Sequence, residues 1–219
     1  MSWINEVNEI KKRLKLIQEM GGKDKIKRQY DAGRTTVRER IDALVDKNSF
    51  KEIGKLTGLS EYDENGKLKK LTAANSVIGH AKINTVPVVI YGDDFTIRGG
   101  ASDAAIHEKM ITAERFANEY RLPLIRLIEG TGGGGSVKSL EKDGYTYVPA
   151  NPGWDWVVSN MATVPVISLG LGPVAGLGAA RLVSSHYSVI VKNMSQVFVA
   201  GPPVVNRLGE TVTKESLGG

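Results

Sequence analysis

The sequence predicts a winding α/β fold built of repeated strand–turn–helix units. Three observations carry that prediction. PVVIYG begins at Pro87, PLIRLIEG at Pro123 and PVISLG at Pro165, each a proline, an apolar run of strand length and a glycine. The three recur at near-equal intervals, and a helical pattern follows each, as expected of repeated supersecondary units. A glycine cluster also comes after each run: Arg98-Gly99-Gly100, then Gly130 to Gly135 around Thr131, then Gly176-Leu177-Gly178. A plain doubly wound sheet gives a similar pattern, so the residues alone leave those two architectures open.

The elements read in order as follows. Trp3, Val7, Ile10, Leu14 and Ile17 form one apolar stripe, which predicts a helix packed on the domain or on a partner subunit. Gly21-Gly22 ends it. The segment 21–46 is basic and mostly helical, and Thr36 with Glu39 reads as a capping box. Residues 1–46 are therefore a helical arm on a single domain spanning 1–219. Phe50 to Leu59 reads as a strand, with a turn at Asn65-Gly66 beyond it. Ser76 to Lys82 and Val86 to Tyr91 are strands around Asn84-Thr85. Ser102 to Tyr120 is a helix with Ile106, Met110, Ala113, Ala117 and Tyr120 on one face. Trp154 to Met161 is a shorter helix. Pro165 to Leu169 reads as a strand, Gly170 to Pro173 as a tight turn, and the small residues from Ala175 onward as a helix. Tyr187 to Val191 and Gln196 to Val199 are further strands.

Composition narrows the function. The formal charge of +5 suits an acidic ligand such as a phosphorylated cofactor and does not demand nucleic acid. Aromatic residues are too sparse in the basic segment for a single-strand nucleic-acid platform. The absence of cysteine excludes disulfides and thiolate nucleophiles and favours the cytoplasm. No apolar run reaches transmembrane length, and the mixed charges of the first residues argue against a signal peptide or a membrane-surface helix.

Side chains that could carry chemistry are few. His80, His107 and His186 are scattered without ligand spacing and read as structural, so no metal site is expected. Ser102, Ser136 and Ser168 lack a nucleophile-elbow context. Asp93-Asp94 ends a strand, where Asp94 is expected to brace the turn. Gly130 to Gly135 lacks the Gly-Lys-Ser/Thr ending of a phosphate loop and the spacing of a dinucleotide fingerprint. Backbone is what the sequence offers. A helix start without obstructing side chains presents unpaired N–H groups at the positive end of a dipole, suited to an anion or to the oxygen of an enolate. The same small residues also suit tight packing of a helix on its sheet. The cluster Lys23, Lys25, Lys27, Arg28, Arg34, Arg38 and Arg40 is either a solvated face or a phosphate holder.

Ordered motifs run along the whole chain. They are Gly21-Gly22 with Ala32-Gly33-Arg34 and Arg38-Glu39-Arg40-Ile41, then Asp94-Phe95-Thr96 with Gly99-Gly100. Gly172-Pro173-Val174-Ala175-Gly176, Gly201-Pro202 with Val204-Val205, and Glu215-Ser216-Leu217-Gly218-Gly219 follow. In this order they resemble the N-terminal half of the carboxyltransferase component of biotin-dependent acyl-CoA carboxylases, the propionyl-CoA and methylcrotonyl-CoA type.

The resemblance implies the crotonase fold, a superhelix of ββα units. It implies an acyl-CoA site at which backbone N–H groups stabilise the thioester enolate while carboxybiotin, carried on a partner protein, delivers the carboxyl group. Carried over by motif, the oxyanion donors are Gly176 and Leu177 with Gly132 and Gly133 on the facing turn. Arg34, Arg38, Arg98, Gly99, Gly100 and Gly134 are the expected acyl-CoA contacts. Leu177 stands where much of the family has glycine, and Glu129-Gly130-Thr131-Gly132-Gly133-Gly134 replaces Asp-Ser-Gly-Gly-Ala-Arg. The insert from Tyr145 to Trp156 also departs from the propionyl-CoA pattern, which leaves the acyl group open.

In the family a second crotonase-like half follows the Leu-Gly-Gly and holds biotin. This chain alone is thus expected to bind CoA better than it carboxylates. The implied partners are that C-terminal half, the biotin carboxyl carrier and the biotin carboxylase, in a homo- or hetero-oligomer, with no nucleic acid and no membrane. Two alternatives stand beside this. A self-sufficient crotonase-like hydratase or hydrolase requires a side-chain acid or base, for which Glu129 is the candidate; a fully buried, paired Glu129 excludes it. A non-catalytic CoA-binding or scaffold subunit would instead hold an acidic partner on the basic segment.

Overall fold

The computed structural model describes residues 2–101, 106–130, 141, 144 and 153–219. Three helices come first: α1 (Ile4–Gln18), α2 (Lys23–Asp31) and α3 (Val37–Leu44). The Thr36–Glu39 capping box forms as expected: the Thr36 side chain accepts from the Glu39 N–H, and the Glu39 carboxylate accepts from the Thr36 N–H. Strands β1 (Lys51–Ile53), β4 (Ser76–Ile83) and β5 (Val86–Asp93) form an antiparallel sheet edge. β2 (Gly58–Tyr62) and β3 (Leu68–Ala73) make a separate hairpin. Beyond β5 the main sheet turns parallel through β6 (Leu124–Gly130), β7 (Val166–Ala175) and β8 (Tyr187–Ile190), and β9 (Gln196–Phe198) also pairs with β7.

Alternation along the strands places the layers. Val88 and Ile90 face α3, where they pack with Val37, Ile41, Val77, Ile125 and Leu127. Val89 and Tyr91 face the other way, toward α4 (His107–Tyr120), with Ala113, Ala117, Leu124 and Val166. A third cluster, Ile128, Val174, Ala179 and Leu182, seats the Leu177–Val183 helix at the carboxyl end of β6 and β7. A helix covers each face of the sheet, and the parallel strand ends are left to build a site. Among the described residues no helix is long and apolar enough to cross a membrane.

Two expectations need correction. The predicted strand from Phe50 to Leu59 is two strands, because Gly54 turns the chain at φ 62° and the Thr57 N–H donates to its carbonyl. Gly170 to Pro173 is no turn: β7 runs straight through it to Ala175, changing partner from β8 to β9 on one side. The glycines there allow close approach instead, since a Cβ on Gly172 would lie 2.6 Å from Cδ of Glu129. Of the α1 stripe the carboxyl-terminal part packs on the domain, one of the two expected modes. Ile17 is buried, whereas Trp3, Val7 and Ile10 are exposed.

Candidate active site

The reversal after β7 happens at one residue. Gly176 has φ 56° and ψ −122°, a conformation that a side chain disfavours, and the helix Leu177–Val183 starts immediately after it. The carbonyl of Gly176 accepts from the Ala180 N–H. Its own N–H is donated to the carbonyls of Phe198 and Val199, at 3.1 Å each. The donor expected of Gly176 is thereby engaged in joining β7 to the end of β9. Leu177 and Gly178 are the first two helical positions, whose N–H groups have no acceptor within the helix. Both residues are half-buried.

The glycine clusters come together in space. A Cβ on Gly100, which has φ 66°, would lie 2.6 Å from the carbonyl oxygen of Glu129 and 3.0 Å from Cα of Gly130. On the other side, a Cβ on Gly178 would lie 3.9 Å from the carbonyl oxygen of Gly130. The segment after β5 thus meets the end of β6 backbone to backbone at Gly100 and Gly130, and Gly178, after β7, comes close to the same point beside the Val174 and Ile128 side chains, so that the three glycines line one seam. Arg98 is exposed beside it, at φ 51°, in the short 3-10 turn Arg98–Gly100. Gly132, Gly133 and Gly134 lie outside the described residues, as do Ser102, Ser136 and most of the insert before Trp154.

Glu129, the residue before the end of β6, is fully buried. Arg40 pairs with it at 2.5 Å and Arg34 at 2.9 Å, while the Gln29 amide donates to both oxygens. Burial pushes its carboxyl above the ordinary value, against the pull of Arg40, Gln29 and Arg34. Glu129 is enclosed and paired, which removes the one side-chain base that a self-sufficient hydratase needed. The same contacts engage Arg34. Its charge serves Glu129, and its guanidinium lies 5.6 Å from the centre of the Phe95 ring. Arg38 is likewise committed, gripping Glu52 through two bonds of 2.8 and 3.1 Å. The geometry turns these two arginines inward, where they join the arm to the sheet.

Asp94 braces its turn, accepting from the N–H and hydroxyl of Thr96. Asp93 accepts from the Glu129 N–H at 3.2 Å and from the Tyr91 hydroxyl, so it ties β5 to β6. Burial raises both carboxyls. His186 accepts from the Val166 N–H through Nδ1, and its Nε2 lies 3.0 Å from the Met161 carbonyl oxygen. His80 stacks near Phe116. Among the described residues no three His, Asp or Glu side chains are grouped to hold a metal ion.

Sequence reasoning missed Arg126, Glu114 and Arg181. Arg126 is fully buried on β6 and grips Glu114 of α4 through bonds of 2.9 and 2.8 Å. Arg181, on the Leu177–Val183 helix, lies 4.1 Å from the centre of the Tyr91 ring and 3.5 Å from Glu114. The available signal was the charge itself: Arg126 and Glu129 interrupt the apolar run PLIRLIEG.

Comparison with known proteins bears on the family and the fold. Residues 28–219 match the carboxyl transferase domain family. The chain is 31% identical, over 97% of its length, to 36% of the mitochondrial methylcrotonoyl-CoA carboxylase beta chain of Dictyostelium discoideum. It is 34% identical, over 91% of its length, to 36% of a probable biotin-dependent acyl-coenzyme A carboxylase beta2 subunit of Mycobacterium tuberculosis. Among solved structures, the hexameric transcarboxylase 12S with methylmalonyl-coenzyme A and methylmalonic acid bound superimposes with a TM-score of 0.78. The identity is 24%, over all of this chain and 42% of that one. That likeness shows the fold, a crotonase-type α/β superhelix. The chain spans well under half the length of each of these proteins.

Proposed function

The chain belongs to the carboxyl transferase domain family, and on that premise we propose that it is the acyl-CoA-binding half of a biotin-dependent carboxyltransferase. The observation that carries this reading is the glycine seam. Gly100 and Gly130 meet there backbone to backbone, Gly178 opens a helix close by whose first N–H groups have no acceptor within the helix, and the Glu129 carboxylate is buried. Such a site suits a planar thioester laid against backbone, and an oxygen that gains negative charge as the α-carbon loses its proton. Leu177, with Gly178 behind it, supplies the donors on this side, while Gly132 and Gly133 are the proposed donors on the facing turn. Arg98, Gly99, Gly100 and Gly134 are the proposed contacts of the CoA portion. Arg34 and Arg38 act one step back by fixing the arm.

No acid or base on this chain is asked to move the α-proton. The carboxyl donor is a second substrate, carboxybiotin on a carrier protein, and its released nitrogen is the proposed acceptor. A second crotonase-like half or subunit, with the biotin carboxyl carrier and biotin carboxylase components, completes the proposed cytoplasmic, oligomeric enzyme.

The test deletes one backbone donor. Leu177 is the first helical residue, where proline fits without breaking the helix. Leu177→Pro removes the N–H, and Leu177→Ala keeps it while removing the same side chain. In the complete two-half enzyme, Leu177→Pro should lower carboxyl transfer about a hundredfold relative to Leu177→Ala. Acyl-CoA affinity should change much less, because the donor acts most strongly once charge has developed. Equal turnover in the two variants, both folded, would remove Leu177 from the site.

A further inference from the structure

The Leu177–Val183 helix is a poor helix by its sequence. It is seven residues long, begins Leu-Gly-Ala-Ala and has no side-chain cap at its start. A helix this short is marginal on its own, and Gly178 weakens it further. Yet an oxyanion donor is useful only if its position is fixed.

What fixes the helix is found at its other end. Arg126 Nη1 donates to the carbonyls of Arg181 at 3.1 Å and Ser184 at 2.7 Å. The hydroxyls of Ser185 and Ser188 both donate to the Leu182 carbonyl. The carbonyls that a helix leaves open at its carboxyl end are thus answered by side chains, one of them a cation, which the helix dipole favours there. Arg126 is itself immobilised. Its Nε and Nη2 hold Glu114, and Glu114 in turn accepts from the Asn160 amide at 3.0 Å. The Asn160 side-chain oxygen accepts from Asn118.

We infer that Arg126 is a positioning residue: held by Glu114, it clamps the carboxyl end of the Leu177–Val183 helix and so sets where the Leu177 and Gly178 N–H groups stand. The inference rests on the carboxyltransferase reading for its catalytic consequence, and on geometry alone for the clamp. A buried ion pair adds little net stability over well-packed apolar residues. What a guanidinium adds is direction, with several donors held in one plane. At Arg126 two of the three nitrogens grip Glu114 and the third meets the helix, so the reach from β6 to the helix end is defined.

Arg126→Lys tests this, since it keeps the charge beside Glu114 but cannot hold the carboxylate in two bonds and cap two carbonyls together. Amide hydrogen exchange is read in the chain itself. The amides of Ala180 and Ser184, bonded to the carbonyls of Gly176 and Ala180, should lose protection about tenfold or more, while Val89 in β5 stays as in wild type. General destabilisation would lower protection throughout. In the complete enzyme kcat should fall about tenfold or more with KM for the acyl-CoA within about threefold, as expected when a donor shifts rather than disappears. If Arg126→Lys does not fold, the triple variant Glu114→Leu/Arg126→Met/Arg181→Met replaces the whole charged group by apolar side chains and should give the same local loss. Wild-type protection of the helix in a folded variant overturns the clamp, and local loss with unchanged kcat overturns its role in transfer. A wild-type enzyme that transfers no carboxyl group would defeat the functional reading, and the exchange result would still decide the clamp.

Discussion

Arg126 and Glu129 leave the same strand three residues apart and end in opposite kinds of network. Glu129 is one carboxylate approached by two arginines from the arm and the loop before α3, whose side chains are 8% and 16% exposed. Arg126 is a cation held by Glu114, with Arg181 as a second cation, and all three side chains are at most 6% exposed. In the first the carboxylate is buried and the arginines reach partly to solvent, joining the arm to the sheet. The second lies deep on the α4 side and reaches the helix that carries the proposed donors. A charge near the surface can find water when its partner is removed, and one in the interior cannot. The two networks should therefore respond differently to the same kind of cut.

The largest effect should follow Glu114→Leu. It strands Arg126, with no exposed surface to escape to, and weakens the hold on Arg181. Loss of a partner from a buried pair costs about 3–5 kcal/mol, and this variant should sit at the upper end in urea denaturation. Glu129→Leu should cost about 3 kcal/mol, because Arg34 and Arg40 can swing partly into solvent. A larger loss for Glu129→Leu than for Glu114→Leu would invert the comparison.

Gly172→Ala sharpens the picture of Glu129 as a filled position. The added methyl meets the carboxylate stem, so about 1–3 kcal/mol should be lost. Pairing it with Glu129→Leu should give less than the sum of the two single losses, whereas strict additivity would place Glu129 elsewhere.

The smallest effect is a pH dependence. Lys109, 6% exposed, donates to the Ser76 carbonyl at 2.8 Å, and burial brings its ammonium down to about 8. Between there and the ordinary lysine value the unfolded chain binds the extra proton, so stability should rise as pH goes up through that window. The gain should be roughly 1 kcal/mol per pH unit, and it should fade as pH falls through about 8. Lys109→Met should flatten this rise in melting temperature measured from pH 8 to pH 10; an identical slope in both proteins would show that the rise comes from other groups.

Much of the fold was legible because it rests on local signals. The repeated proline–apolar–glycine runs became β5, β6 and β7, and the capping box at Thr36 formed as written. The glycine clusters were legible in the sequence, and among the described residues Gly100 packs against Gly130 with Gly178 near. Reading Gly170 to Pro173 as a turn failed because glycine marks close approach as well as reversal. The clue separating the two is the side chain across from it, Glu129, which no local window contains. The ion pairs of the arginines were hidden for a related reason. Arg34 and Arg38 look like a basic surface in sequence, and only the long-range partners Glu129 and Glu52 show them facing inward. Arg126 and Arg181 were equally hidden, since their partner Glu114 lies on α4.

The proposed carboxyl transfer requires the acyl-CoA to lie along the glycine seam. Amide hydrogen exchange of the chain, assembled with its second half and saturated with propionyl-CoA, tests it most directly. Exchange should slow at Gly99, Gly100, Gly130, Leu177 and Gly178, with the exposed stripe of α1 at Trp3 and Val7 unchanged. Saturating ligand that protects the basic segment of α2 and α3 while leaving those five amides as they were would contradict it.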